Sequence, residues 1–122
     1  MKINRHTIAI LAYNNYELTV KNLKHLISLG YVNDILLFDN GSNPSFKKIS
    51  NQLNIRYLRV EQNLFVNPAW NKIFEQEHCT YLTLLNNDCF ILTPNYFEDV
   101  LQHMETNEIQ ISRLLRKTHR QA

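Results

Sequence analysis

Residues 7–16 read "TIAILAYNNY". Thr7 to Ala12 form a nearly continuous apolar run of strand length, which passes directly into the polar cluster Tyr13-Asn14-Asn15. An unbroken apolar run, unlike an alternating one, suits a strand covered on both faces, as in a parallel sheet. Three more runs repeat the pattern: "DILLFD" at 34–39, "IRYLRV" at 55–60 and "TYLTLL" at 80–85.

Helical spacing fills the intervals. Tyr16, Val20, Leu23 and Ile27 recur along one face, with Asn14 or Asn15 placed to cap the start and Gly30 just past the end. A second, shorter helix is predicted from Pro44 or Ser45, with Phe46, Ile49 and Leu53 inward. A third starts at Pro68 and buries Ala69, Ile73 and Phe74; a fourth starts at Pro94, with Tyr96 or Phe97, Val100 and Leu101 on its apolar side. Proline suits the first turn of a helix, where its missing N–H has no partner to lose. The order β-α-β-α-β-α-β-α predicts an α/β, Rossmann-like fold: a mainly parallel sheet with right-handed crossovers and helices on both faces.

In such sheets ligands bind beyond the carboxyl ends of the strands. Every predicted strand here ends in a polar cluster: Tyr13-Asn14-Asn15, Asp39-Asn40-Gly41-Ser42, Glu61-Gln62-Asn63 and Asn86-Asn87-Asp88. Each has an ordinary structural explanation. "DNGS" is a turn signal that Asp39 can cap, Asn14 can cap a helix, and "NND" can form an Asx turn. Together they give one rim a set of carboxylate and amide oxygens. A hard cation such as Mg²⁺ or Mn²⁺ takes oxygen ligands and is held by few carboxylates when a substrate diphosphate supplies the rest. Asp88 fits that role. Asp39 offers an acceptor for the N–H of a uracil, thymine or guanine edge.

Several chemistries are excluded. The chain has neither G-x-G-x-x-G nor G-K-[ST], which argues against a dinucleotide site or a P-loop. It has no G-x-S-x-G elbow and no nucleophilic cysteine with a positioned histidine. Cys79 and Cys89 belong to no C-x-x-C pair, and His78 beside Cys79 lacks a second ligand pair at zinc spacing. Both thiols are expected to be reduced.

The 122 residues, 44% hydrophobic and 20% charged, fit one globular domain. No segment is long and apolar enough to span a bilayer, and the short apolar stretch after "MKINRH" does not make a signal peptide, so a cytoplasmic location is expected. Of the 13 Lys and Arg, four lie in "RLLRKTHR" at 113–120, leaving the rest of the chain slightly acidic. Such a basic tail is read as a solvated helix end, and no nucleic-acid partner is expected.

The segments "IAILAYNNYELTVKNLKHL" (8–26), "ILLFDNGSNPSF" (35–46), "NLFVNPAWN" (63–71) and "YLTLLNNDCFI" (81–91), in this order and spacing, resemble family 2 glycosyltransferases of the GT-A fold. The likeness extends from about Ile8 to Met104 and implies a site for a nucleotide-diphosphate sugar of UDP, GDP or TDP type. On that basis Ala12, Tyr13 and Asn14 line the nucleoside pocket and Asp39 contacts the base. Asn63 and "NPAWN", with Asn71 at the family's usual asparagine, face the nucleotide. Asn86-Asn87-Asp88 stands at the D-x-D position: Asp88 holds the divalent ion, Mn²⁺ or Mg²⁺, and Asn86 reaches the ribose.

The sequence departs from the family at two places. Asn86 replaces the first acid of D-x-D, and Phe65 stands two residues after Asn63, where the family often has glycine. Trp70 is read as a helix aromatic that is buried, with stacking on a ligand as the other role. The resemblance implies transfer of a sugar to an acceptor that the sequence does not identify, and the general base for that step is unassigned. Glu98, Asp99, Glu105 and Glu108 are the only acids after Asp88, and none matches the family's base. A truncated nucleotide-sugar-binding module without transfer activity is the alternative. Residues 1–108 are read as the nucleotide-sugar-binding domain and 109–122 as a basic, helical tail. The tail's Ile109, Ile111, Leu114 and Leu115 are candidates for docking on the sheet edge or a second subunit, so that a homodimer or a partner chain would complete the acceptor site.

Overall fold

A computed structural model describes residues 4–107. Glu108 and the basic segment 109–122 lie outside the described residues. The elements run β1 (Asn4–Ala12), α1 (Tyr16–Ser28), a 3₁₀ turn (Val32–Asp34), β2 (Ile35–Asn40), α2 (Lys47–Leu53), β3 (Arg56–Val60), α3 (Val66–Gln76), β4 (Cys79–Asn86) and α4 (Tyr96–Asn107). The chain divides after Phe90 into two compact units. The first carries the sheet; the described part of the second carries α4, which buries Phe97, Leu101 and Met104 at helical spacing.

All four strands are parallel, in the order β3-β2-β1-β4. The chain steps outward from β1 to β3 and then returns to the other side of β1. Right-handed crossovers running in opposite directions put α3 on the face opposite α1. One face is filled by Ala9, Leu11, Leu36 and Phe38 from the central strands with Ala69 and Ile73 from α3, flanked by half-buried Leu58, Val60, Leu82 and Leu84. The alternate residues Ile8, Ile10, Ile35 and Leu37 point to the other face and are also fully buried. Burial on both faces is why these strands read as unbroken apolar runs.

The helices differ in detail from their sequence patterns. In α1 the buried face is Thr19, Asn22, Leu23 and Leu26, while Tyr16 is exposed and Val20 and Ile27 are only half-buried. Two polar residues thus occupy the inner face where the pattern expected aliphatics, because their side chains hold the β4 turn. Asn15 stands at the N-cap position of α1 without a side-chain cap bond. The side chain of Asn14 instead accepts the Asn43 N–H at 2.9 Å. The second helix starts at Lys47, not at Pro44 or Ser45, because residues up to Phe46 complete a turn whose Phe46 N–H bonds to Asp39. The third starts at Val66, two residues before Pro68, which still falls in the first turn. The fourth starts at Tyr96, with the Tyr96 N–H bonded to the Thr93 carbonyl.

Candidate functional site

The register fixes the rim. Ala12 pairs with Asp39, Asp39 with Arg59, and Leu11 with Asn86. The four strands therefore end level, and the loops carrying Tyr13-Asn14, Ser42-Asn43, Asn63 and Asn87-Asp88 leave from one edge of the sheet. The crossover direction reverses between β1 and β4, so the rim contains the switch point at which parallel α/β sheets open a crevice.

Three sets of hydrogen bonds tie these loops together. Between β1 and β2, the Asn14 N–H donates to Ser42 Oγ at 2.8 Å while Asn14 Oδ1 accepts the Asn43 N–H. Asn14 and Asn15 both hold positive φ, 52° and 54°, a conformation asparagine tolerates better than most residues. Between β2 and β3, Asn40 Nδ2 donates to Asn63 Oδ1 at 3.0 Å and to the Phe65 carbonyl at 3.1 Å, and Asn40 Oδ1 accepts the Leu64 N–H at 2.9 Å. Gly41 makes this approach possible. Its φ is +80°, and a Cβ there would stand 2.7 Å from the Asn63 nitrogen. Between α1 and the β4 turn, Asn22 Nδ2 donates to the carbonyls of Asn87 and Cys89, and Asn87 Nδ2 donates to Thr19 Oγ1 at 2.9 Å.

Asp39 is fully buried. Its Oδ1 accepts the Ser42 N–H at 3.0 Å; its Oδ2 accepts from the Phe46 N–H (2.9 Å), Tyr57 Oη (2.6 Å) and Arg59 (2.8 Å). Burial pushes its pKa up, but the bonds from Tyr57, Phe46 and Ser42 outweigh that and hold it below the ordinary carboxylate value. Tyr57 is pushed up by burial and by its bond to Asp39. Asp39 is closed off behind these donors, so a base contact there needs the rim to open. The dominant work of Asp39 in this arrangement is to hold the β2 rim to β3.

Asp88 contrasts with Asp39. It is exposed, in the turn after β4, as is Asn86, the last residue of that strand. Among the described residues no group of three His, Cys, Asp or Glu side chains is disposed to hold a metal ion. A single exposed carboxylate beside amide oxygens does not cage a bare cation. It does fit one that arrives with diphosphate oxygens. Tyr13 is 48% exposed just beyond β1, Ala12 at the end of β1 is buried, and Asn71 lies half-buried in α3. Asn87 is half-buried, with its side chain turned toward α1. Trp70 packs against the α3 face of the core, and its indole N–H has no hydrogen-bond partner. Cys79 is half-buried, with burial raising its pKa, and Cys89 is exposed; both are free thiols.

The glycosyl transferase family 2 model matches residues 7–120, nearly the whole chain. The chain belongs to glycosyl transferase family 2. Among solved structures, the crystal structure of S. aureus TarS 1-349 is similar to it, with a TM-score of 0.59 and 16% sequence identity. The alignment covers 84% of this chain and 32% of that one, so the chain spans about a third of the length of its structural neighbour. At that identity the likeness speaks to the fold, which is the Rossmann-like α/β arrangement of a GT-A domain. No curated protein matches the sequence. The family 2 domain described here has no helix long and apolar enough to cross a membrane among its described residues.

Sequence reasoning missed Asn22, Asn40, Tyr57 and Arg59. The one available signal for Asn22 was its place beside Leu23 and four residues before Leu26, which it joins on the buried face of α1. Asn40 and Arg59 stood in view near strand ends and Tyr57 within β3, but their partners depend on the register.

Proposed function

We propose that this domain binds a nucleotide-diphosphate sugar together with a divalent cation, as the donor half of a family 2 glycosyltransferase. The observation that carries the reading is the level ending of β1 and β4 at the switch point, which brings Tyr13, Asn14, Asn86 and Asp88 to one rim. Tyr13 offers an exposed ring for the nucleoside, next to the small buried Ala12 in the chain. Asn86 offers an amide for the ribose hydroxyls, and Asn63 and Asn71 flank the nucleotide from the third crossover. Asp39 and Asn87 act on this site by holding the β2 and β4 loops in position. Asp88 holds the cation, Mn²⁺ or Mg²⁺, against the diphosphate. Once bound, the cation neutralises the charge that builds on the departing nucleoside diphosphate.

Transfer also needs a base within hydrogen-bond reach of the acceptor hydroxyl. Glu98, Asp99 and Glu105 are exposed on α4, and the reading leaves the base unassigned. Donor binding without transfer by this chain alone is therefore the second reading. Calorimetry with UDP-, GDP- and TDP-sugars, with and without Mn²⁺, tests both. Metal-dependent binding of one nucleotide series is expected, and silence across the panel would remove both. Hydrolysis or transfer of the bound donor separates the enzyme from the binding module.

A further inference from the structure

Phe65 combines two features that a side chain without a task would not keep. Its backbone sits at φ 64°, ψ −170°, a region essentially reserved for glycine. Its side chain is 74% exposed. An aromatic residue at such a position costs stability twice, through the backbone and through a ring left in water. The conformation is held from both sides: the Phe65 N–H donates to Asn63 Oδ1 at 2.7 Å, and the Phe65 carbonyl accepts from Asn40 Nδ2 at 3.1 Å. Leu64 beneath it packs on the core, so the strained residue projects away from the interior.

We propose that Phe65 is a stacking platform for the nucleobase of the donor. This deepens the proposed function and rests on it. Phe65 lies in the loop after β3, tied to Asn40 at the end of β2, and Asp88 lies in the turn after β4. Two strand spacings separate β2 from β4, about 10 Å, a span that an extended nucleoside diphosphate can cover. The charged diphosphate belongs with the cation at Asp88. The flat, weakly polar end of the same ligand then reaches toward β2 and β3, where Phe65 offers an apolar face. Stacking on an aromatic ring tolerates any base, so Phe65 adds affinity and leaves base selection to hydrogen bonds elsewhere on the rim.

Phe65→Gly and Phe65→Leu test the assignment together, with calorimetry against UDP, GDP and TDP in Mn²⁺ and thermal unfolding of each variant. Glycine removes both ring and strain; leucine removes the ring and keeps the strain. Both variants are expected to lose at least about fivefold in nucleotide affinity. Only Phe65→Gly is expected to melt higher than the wild type, and Phe65→Tyr is expected to restore binding. Wild-type affinity in Phe65→Leu overturns the platform, whether or not Phe65→Gly binds. A loss of transfer to an acceptor with nucleotide affinity intact overturns it as well, by moving the ring to the acceptor side. If the wild type binds none of the three nucleotides, the donor-site reading itself fails, a result distinct from any change among the variants.

Discussion

Asn22, buried in the middle of α1, donates its side-chain amide to the backbone carbonyl of Asn87 at 3.1 Å, across 65 residues of sequence. A second bond from the same nitrogen reaches the Cys89 carbonyl at 2.9 Å. The turn that presents Asp88 is thus held from beneath by a helix on the neighbouring crossover. Its geometry does not depend on the turn's own residues alone.

Replacing Asn22 with alanine leaves two carbonyls without that donor. Orphaned buried polar groups cost about 1–3 kcal/mol each when water cannot replace the partner. A loss of about 1 kcal/mol in unfolding free energy is expected, because Cys89 is exposed and the substitution also removes the buried, unpartnered Asn22 Oδ1. Metal-dependent nucleotide affinity should fall further than the stability alone would require. Denaturant melts and calorimetry on one preparation check both, and unchanged binding would detach the turn from Asn22.

Gly41 is the narrowest point between the β2 and β3 loops. Gly41→Ala places a methyl group 2.7 Å from the Asn63 nitrogen and 2.9 Å from the Gln62 carbonyl carbon, on a backbone at φ +80°. Both neighbours are main-chain atoms and cannot rotate away. The variant is expected to lose about 2 kcal/mol or more, above the roughly 1 kcal/mol of a left-handed residue alone. A thermal melt decides it, and a wild-type Tm would mean that the loops separate freely.

Asp39 links the fold to pH. Its folded pKa lies below the unfolded value of 3.8, so its bonds stabilise the protein above about pH 4 and are lost as pH falls through the folded value. Asp39→Asn is expected to be less stable at neutral pH, on the order of 3 kcal/mol, with the half-buried Arg59 and Tyr57 donors left without the charge they face. The gap to the wild type should shrink on acidification below pH 4. Urea midpoints from pH 7 to pH 2.5 measure this, and a gap constant with pH would show that Asp39 is not ionised in the fold.

The strands and the rim were legible in the sequence because burial on both faces writes itself as unbroken apolar runs, and each run ends at a polar cluster. The helix starts were less legible. Pro44, Pro68 and Pro94 mark first turns only loosely, and Asp39 bonding to Phe46 delays α2 in a way that no local pattern announces. The inner face of α1 was misread for a related reason: Thr19 and Asn22 look like solvent residues until β4 brings Asn87 against them. Asp39 was visible as a strand-end acid, but its four donors come from β3 and the turn after β2. Only the register shows that Arg59 lies directly beside it. Phe65 was visible as a departure from glycine, whereas its left-handed backbone was not.

Asp88 is the proposed anchor of a cation-bridged donor. Because Asp88 is exposed, Asp88→Asn should leave the melting temperature within about a degree of the wild type, as surface substitutions do. The decisive measurement is the affinity of the wild type and Asp88→Asn for the preferred nucleoside diphosphate, each with and without Mn²⁺. The expected result is a wild type whose binding strengthens at least tenfold with the metal and a variant whose binding is the same in its presence and absence. Equal metal enhancement in the two proteins would contradict the account and move the cation away from the β4 turn.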